Sequence, residues 1–464
     1  MAGIGFNLKK ILEAGTYRST FETYFISSLI VAGPWILSII TLFVLSTFIP
    51  YTIDMFDKIF FRTVVIYGFV TSLILSGVFH FPLTRYLADR LYSKEKDALV
   101  PAFNTTAVCL FGIETLFGVV FYVIADSPPA LKLLIICTYM ILSLLWLLMV
   151  FLTALRDYLA IVAAYIIGSG VTIVVSLYLG QRIGIEGYFI GYLSGHLMIA
   201  LLWSGRIFVE FGSTHSWDWE YVRFFINNRT LIAIGFFYNL ALWIDKVILW
   251  FSPQATEITN FFRIHLVYDS ATFFAFLTII PALTIFLVQV ETNFYDEYRN
   301  FYQGISKKAT YPQIEWLKKD VIKSLQSGLK ILIRYQGILT FLILIFTPEL
   351  STFFHFSAEQ IPVFRVVVIG SFLHCMILIA LILVLYFDFK SLALQICVFF
   401  VLSNGLLTYL STKLEIAYLG YGYLASAFLT LAFAFYAFDR KLYLLEYYTF
   451  ALQPVAQHRQ EGLG

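Results

Sequence analysis

Charge is scarce in this chain: Asp, Glu, Lys and Arg make up 13 % of its 464 residues, against roughly 25 % in a soluble globular domain. So few charges cannot clothe a water-facing surface of this size. The formal net charge is +2 with no long basic run, which leaves no footprint for nucleic acid. Cysteine is nearly absent too. Cys109, Cys137, Cys375 and Cys397 all fall in apolar stretches and none is paired as C-x-x-C. That excludes a redox motif and a zinc site, and reads as small buried hydrophobes. No Walker A sequence, H-E-x-x-H or nucleotide-binding glycine fingerprint is present, so no enzyme chemistry, cofactor or metal ion is expected. The acidic residues of Ser-Trp-Asp-Trp-Glu (Asp218 and Glu220) resemble a nucleotide-sugar metal pair, but no domain surrounds them to make it one. The first 20 residues hold Lys9, Lys10 and Arg18 without an apolar block before a cleavage site, so the first span is expected to stay as an anchor.

What the chain has instead is apolar length. About 20 helical residues cross a bilayer core, and backbone groups in lipid must be paired within the segment. The sequence divides into twelve such stretches: 25–49, 63–84, 99–125, 131–154, 157–180, 186–209, 230–252, 265–290, 328–348, 362–387, 391–411 and 420–444. The break between spans 4 and 5 rests on Arg156 and Asp157. The expected fold is therefore all-α and polytopic. Placing the N-terminus in the cytoplasm puts Arg85, Arg90, Lys94, Lys96, Lys307, Lys308, Lys318, Lys319 and Lys323 on that side. This is the positive-inside pattern, with both termini inside.

The connectors define the expected organisation. A cytoplasmic amphipathic segment (1–24) precedes a first six-helix bundle (25–209). A cytoplasmic connector (210–229) joins it to a second bundle (230–446), and a cytoplasmic tail (447–464) follows. Six plus six spans is a common plan for transporters built from repeats, although no residue-by-residue match between the halves stands out. Within the second bundle, the loop 291–327 carries Ile314, Leu317, Val321, Ile322 and Leu325 at helical spacing with lysines between them. Both it and residues 1–24 read as helices lying on the membrane surface. Lys307, Lys308, Lys318 and Lys319 are candidates for docking a cytosolic partner.

Charges inside spans carry the sharper signal, because a charge in mid-bilayer is costly and normally faces a bundle interior or a wet cavity. Asp245 and Lys246 in span 7, Asp269 in span 8, Arg334 in span 9 and Glu114 in span 3 are the candidates for a transport cavity. Since neighbours on a helix point apart, Asp245 and Lys246 are expected to have different partners. Tyr238 and Trp243 could stack sugar rings. Gly33-Pro34 in span 1 and Pro281 in span 8 are candidate hinges, since proline removes an intrahelical hydrogen bond. His80, His196 and His374 read as polar residues satisfied inside the bundle rather than as proton relays.

Several of these segments together resemble one family. They are Met-Ala-Gly-Ile-Gly-Phe-Asn-Leu-Lys-Lys-Ile (1–11), Ala-Gly-Pro-Trp (32–35), Trp-Ile-Asp-Lys (243–246), and the run from Tyr268-Asp269-Ser270 through Ile280-Pro281-Ala282 to Val290-Glu291-Thr292. They are similar to the Pel exopolysaccharide transporters, in the polysaccharide-transporter branch of the MATE-like (MOP) flippase superfamily. Position 32 is Ala where the family pattern has Ser. The resemblance implies a multi-pass protein of the bacterial inner membrane, with two six-helix bundles around a central cavity. It implies export of an N-acetylgalactosamine-rich polymer for the biofilm matrix. The implied partners are a cytosolic glycosyltransferase, a cyclic-di-GMP-binding membrane receptor and a membrane protein with helical repeats. It transfers no catalytic residues. The rival readings are a flippase for a lipid-linked oligosaccharide, which would favour a strongly basic cavity, and a non-transporting scaffold of the synthase complex.

Overall fold

The computed structural model describes residues 16–48, 54–155, 157–212, 216–289 and 293–450. Helices α1 (Tyr17–Phe48), α2 (Met55–Tyr92), α3 (Leu99–Ile124), α4 (Pro129–Leu155), α5 (Tyr158–Ile183) and α6 (Ile185–Phe211) are spans 1 to 6. The short α7 (Trp219–Asn227) lies in the connector, and α8 (Arg229–Trp250) is span 7. Two short strands, β1 (Thr256–Glu257) and β2 (Arg263–Ile264), pair antiparallel as a hairpin before span 8. Span 8 is two helices, α9 (Leu266–Leu277) and α10 (Ile280–Gln289), followed by α11 (Tyr295–Ser306). Span 9 is α12 (Tyr311–Ile345), after which come α13 (Thr347–Phe353), α14 (Gln360–Tyr386, span 10), α15 (Lys390–Ser411, span 11), α16 (Tyr421–Tyr443, span 12) and α17 (Leu445–Phe450). Eleven of the spans are long and apolar enough to cross a bilayer by length and composition. Span 1 contributes the shorter apolar stretch Ala32–Phe48. The break between spans 4 and 5 falls where Asp157 caps α5, its side chain accepting from Ala160 N (3.2 Å) and Arg206 Nε (2.5 Å); Arg156 lies outside the described residues.

The helix pairings repeat with an offset of six. Within the first half, span 1 packs on 5, 2 on 4, 3 on 4, 4 on 6 and 5 on 6. Within the second, 7 packs on 11, 8 on 10, 9 on 10, 10 on 12 and 11 on 12. The contacts between halves, span 2 on 7 and span 1 on 8, also exchange under the same offset. The repeat reaches single residues. Gly187-Tyr188 opens span 6 and Gly422-Tyr423 opens span 12, and a Cβ on either glycine would sit 2.4 Å from a carbonyl oxygen, of Leu179 and Leu407 respectively. Lipid offers no hydrophobic drive for helix association, so small residues that let backbones touch set the crossings. Spans 2 and 7 cross the same way: a Cβ on Gly235 would lie 2.0 Å from the Gly77 carbonyl oxygen.

Two expectations change here. Residues 311–327 do not form a separate surface helix; they continue without interruption into span 9. Helix α12 has 35 residues, about 52 Å at about 1.5 Å per residue, against a hydrocarbon core of about 30 Å. The helix is therefore roughly 20 Å longer than an upright crossing needs. The apolar face expected to lie on lipid packs on protein instead, with Ile314, Val321 and Leu325 joined to Phe301 of α11 in the second-half core. The proposed N-terminal surface segment begins outside the described residues, and its end, from Tyr17, already belongs to α1.

Candidate transport site

Three of the intramembrane charges, Asp245, Lys246 and Asp269, lie within electrostatic reach of one another, although they are held by different partners, while Glu114 and Arg334 stand apart. Asp245 and Lys246 lie inside the second half. Asp245 is fully buried and Lys246 is 7 % exposed. Contrary to expectation they pair with each other: Lys246 Nζ stands 3.2 Å from Asp245 Oδ2 and donates also to the Leu242 carbonyl at 3.3 Å. Helical neighbours diverge at Cβ, but the four-carbon lysine stem is long enough to fold back over the preceding turn. Tyr268 of α9 completes the arrangement, its hydroxyl donating to Asp245 Oδ2 at 2.6 Å. The ammonium lies 5.1 Å from the ring centres of both Trp243 and Phe276, within cation–π range. His374 and Tyr423, bonded Nδ1 to hydroxyl at 2.8 Å, stand beside it. This cluster ties spans 7, 8, 10 and 12 together.

Asp269 belongs to a second cluster, where the halves meet on the side of the β1–β2 hairpin. Its Oδ2 accepts from Trp250 Nε1 (2.8 Å) and His265 N (3.1 Å). The Trp250 indole stacks on Tyr67 of span 2, centroids 4.4 Å apart, and the Tyr67 hydroxyl donates to the Arg263 carbonyl at 2.9 Å. The hairpin extends this bridge. Phe262 is buried within a first-half cluster with Phe60, Phe61 and Phe189. The Asn260 side chain donates to Ile124 O (3.0 Å) and accepts from Asp126 N (3.2 Å). At the opposite face, Arg85 of span 2 reaches Asp388 between spans 10 and 11 at 3.9 Å, and span 1 packs on the half-helix α10. The halves are thus bridged at both faces.

The other candidates are scattered. Tyr238 sits between the halves, edge-on to Phe81 at 6.4 Å. Glu114 is fully buried in the first half against span 4. Arg334 is exposed on the same helical face as Ile338, Phe341 and Ile345, all exposed. Span 1 continues as one helix through Gly33 and Pro34. Span 8 is interrupted three residues before Pro281, which opens the second half-helix, where a missing N–H costs nothing. The freed Thr278 carbonyl accepts from Gln336 Nε2 of span 9 at 2.9 Å. Interrupted spans of this kind, with their loose backbone groups satisfied by protein, are a feature of transporters.

Among the docking lysines, Lys318 is not available to a partner. It is buried, with Nζ 2.5 Å from Glu446 Oε2 and 2.7 Å from the Tyr443 carbonyl, and so anchors α17 to α12. Lys319 pairs with Glu315 at 2.8 Å on an exposed face, and Lys307 and Lys308 are exposed at the α11–α12 turn. Asp218 and Glu220 hold the connector: Asp218 Oδ2 accepts from the Tyr86 hydroxyl at 2.5 Å and Glu220 pairs with Arg90.

The fold of this chain is similar to that of solved MATE-like transporters of the MOP superfamily. A multidrug resistance MATE family transporter in an outward-facing conformation is 12 % identical over 91 % of this chain and 96 % of its own, with a TM-score of 0.62. The inward-facing form is 14 % identical over 91 % and 94 %, at 0.55. A MOP superfamily transporter from Pyrococcus furiosus Vc1 (DSM3638) is 11 % identical over 91 % and 96 %, at 0.62. At these identities the likeness is one of fold. The chain belongs to the PelG exopolysaccharide exporter (EPS-E) family, which it matches over residues 1–450. No curated protein matches it in sequence.

Proposed function

We propose that this transporter exports the N-acetylgalactosamine-rich Pel polymer across the bacterial inner membrane. The family match across residues 1–450 is the observation that carries this reading. Residues 25–209 and 230–446 act as the two moving units, opening alternately at the two faces. Both termini and the α11–α12 hairpin face the cytoplasm, where a glycosyltransferase hands over the chain. The cyclic-di-GMP receptor and the helical-repeat protein complete the complex. Lys307, Lys308 and Lys319 are the docking lysines that remain accessible. Tyr238, at the seam between halves, offers an aromatic face to sugar rings. The mixed charges at the interface, Asp269 near Arg62 and Arg263 paired with Glu257 among them, fit a weakly charged polymer better than a diphosphate-linked lipid. Reconstituting purified protein and synthase partners in vesicles tests the reading: polymer should reach the far compartment only when this protein is present. Equal transfer without it would reduce the protein to a scaffold.

A further inference from the structure

Glu114 is the buried acid that the clusters above leave unused. Span 3 is packed sparsely beyond Ala107. Its only buried positions there are Leu110, Glu114 and Gly118, one stripe at a spacing of four. The flanks carry Val108, Ile113, Leu116, Phe117 and Val120, all exposed. The stripe faces span 4, where Gly118 lets Ile136 approach closely. Glu114 therefore turns away from lipid and into a helix seam. It lies ten residues from the nearer end of the helix, about 15 Å at about 1.5 Å per residue.

No cation in that seam balances an ionised carboxylate among the described residues. Both Glu114 oxygens are buried, and their only polar neighbours among the described residues are neutral hydroxyls of span 4, Ser143 within hydrogen-bonding reach and Tyr139 beside it. Of the other elements on span 3, α7 makes its bond two turns away, where Asp218 N donates to Thr105 Oγ1 at 2.9 Å. Spans 2 and 6 bring no Lys, Arg or His into ion-pair contact with it among the described residues. An uncompensated charge in such a place neutralises rather than persists. Asp245, by contrast, has Lys246 and Tyr268.

We infer that Glu114 is a proton-binding site of this protein, holding a proton while the seam between spans 3 and 4 excludes water and releasing it when water enters that seam. The O–H bond forms by proton uptake from water at one face and breaks at the other, so one proton crosses per cycle and no other reactant is needed. The inference rests on the export reading only for its link to polymer movement; the proton itself is measured without polymer.

Infrared difference spectra of purified protein in lipid vesicles at neutral pH should contain the C=O stretch of a protonated carboxyl. That band should be lost in Glu114→Gln and kept in Glu114→Asp and in Asp245→Asn. A spectrum unchanged by Glu114→Gln would overturn the site. In vesicles exporting polymer, collapse of the pH gradient should halt wild-type export. Glu114→Gln at normal abundance should export nothing, and Glu114→Asp should restore it. Full export by Glu114→Gln would overturn the carrier role even with the band assigned, leaving Glu114 as a contact between helices.

Discussion

Removing the Asp245 charge should unbalance the protein before it affects transport. In Asp245→Asn the Lys246 ammonium stays 7 % exposed but loses its counter-charge at 3.2 Å. Stripping one partner from a buried ion pair costs about 3–5 kcal/mol, roughly two to four orders of magnitude in the folded-to-unfolded ratio at about 1.4 kcal/mol per tenfold. Abundance of folded protein in the membrane should fall steeply. Tyr268→Phe removes only one hydrogen bond to a charged group, so about 1.5–3 kcal/mol is expected. Lys246→Met leaves Asp245 without its counter-charge and should cost a similar amount. The double variant Asp245→Asn/Lys246→Met leaves no orphan charge and should recover most of the lost abundance, a coupling readable in a double-mutant cycle. Detergent-extracted monodisperse protein, quantified by fluorescence-detected chromatography, is the assay. Two outcomes refute the reasoning: wild-type abundance for Asp245→Asn alone, or additive losses in the double variant. Export by the recovered double variant then separates use of the charge from its structural duty.

Three further outcomes follow from the contacts. Cysteines at positions 126 and 260, where Asn260 meets Asp126, should stop export when oxidised and release it when reduced; full export by cross-linked protein would show that this seam stays closed throughout the cycle. Lys318→Ala should lower stability by about 1–3 kcal/mol through loss of the Glu446 pair, seen as a lower melting temperature, whereas neutralising Lys307 and Lys308 should leave melting unchanged and weaken co-purification with the glycosyltransferase. A topology reporter at residue 310 should read as cytoplasmic, and a periplasmic signal there would invert the proposed orientation.

Apolar length made the spans legible, since roughly 20 consecutive apolar residues admit few other readings in a chain this poor in charge. Even the narrow break at Asp157 could be read, because an Asp there is a ready helix cap. What escaped was whatever depends on partners distant in sequence. The hairpin strands Thr256–Glu257 and Arg263–Ile264 are too short to show periodicity, yet they place Phe262 in the other half's core. Lys246 turned back because of its reach, which helical angles alone do not describe. Lys318 looked like its exposed neighbours until Glu446, 128 residues on, was brought against it. The Gly-Tyr pairs at 187–188 and 422–423 were visible as letters. Only their common function of letting one backbone touch another marked them as equivalent.

The Gly77–Gly235 crossing sets the leverage of the molecule. Gly235 lies six residues from the start of α8 and fifteen from its end, so the arms on either side measure about 9 Å and about 22 Å at about 1.5 Å per residue. A tilt about this contact swings the hairpin end of span 7 roughly two and a half times as far as the connector end. Under the proposed alternating opening this works as gearing: a small push near the connector would become a wide stroke at the opposite face, which carries the Tyr67–Trp250 stack and the hairpin.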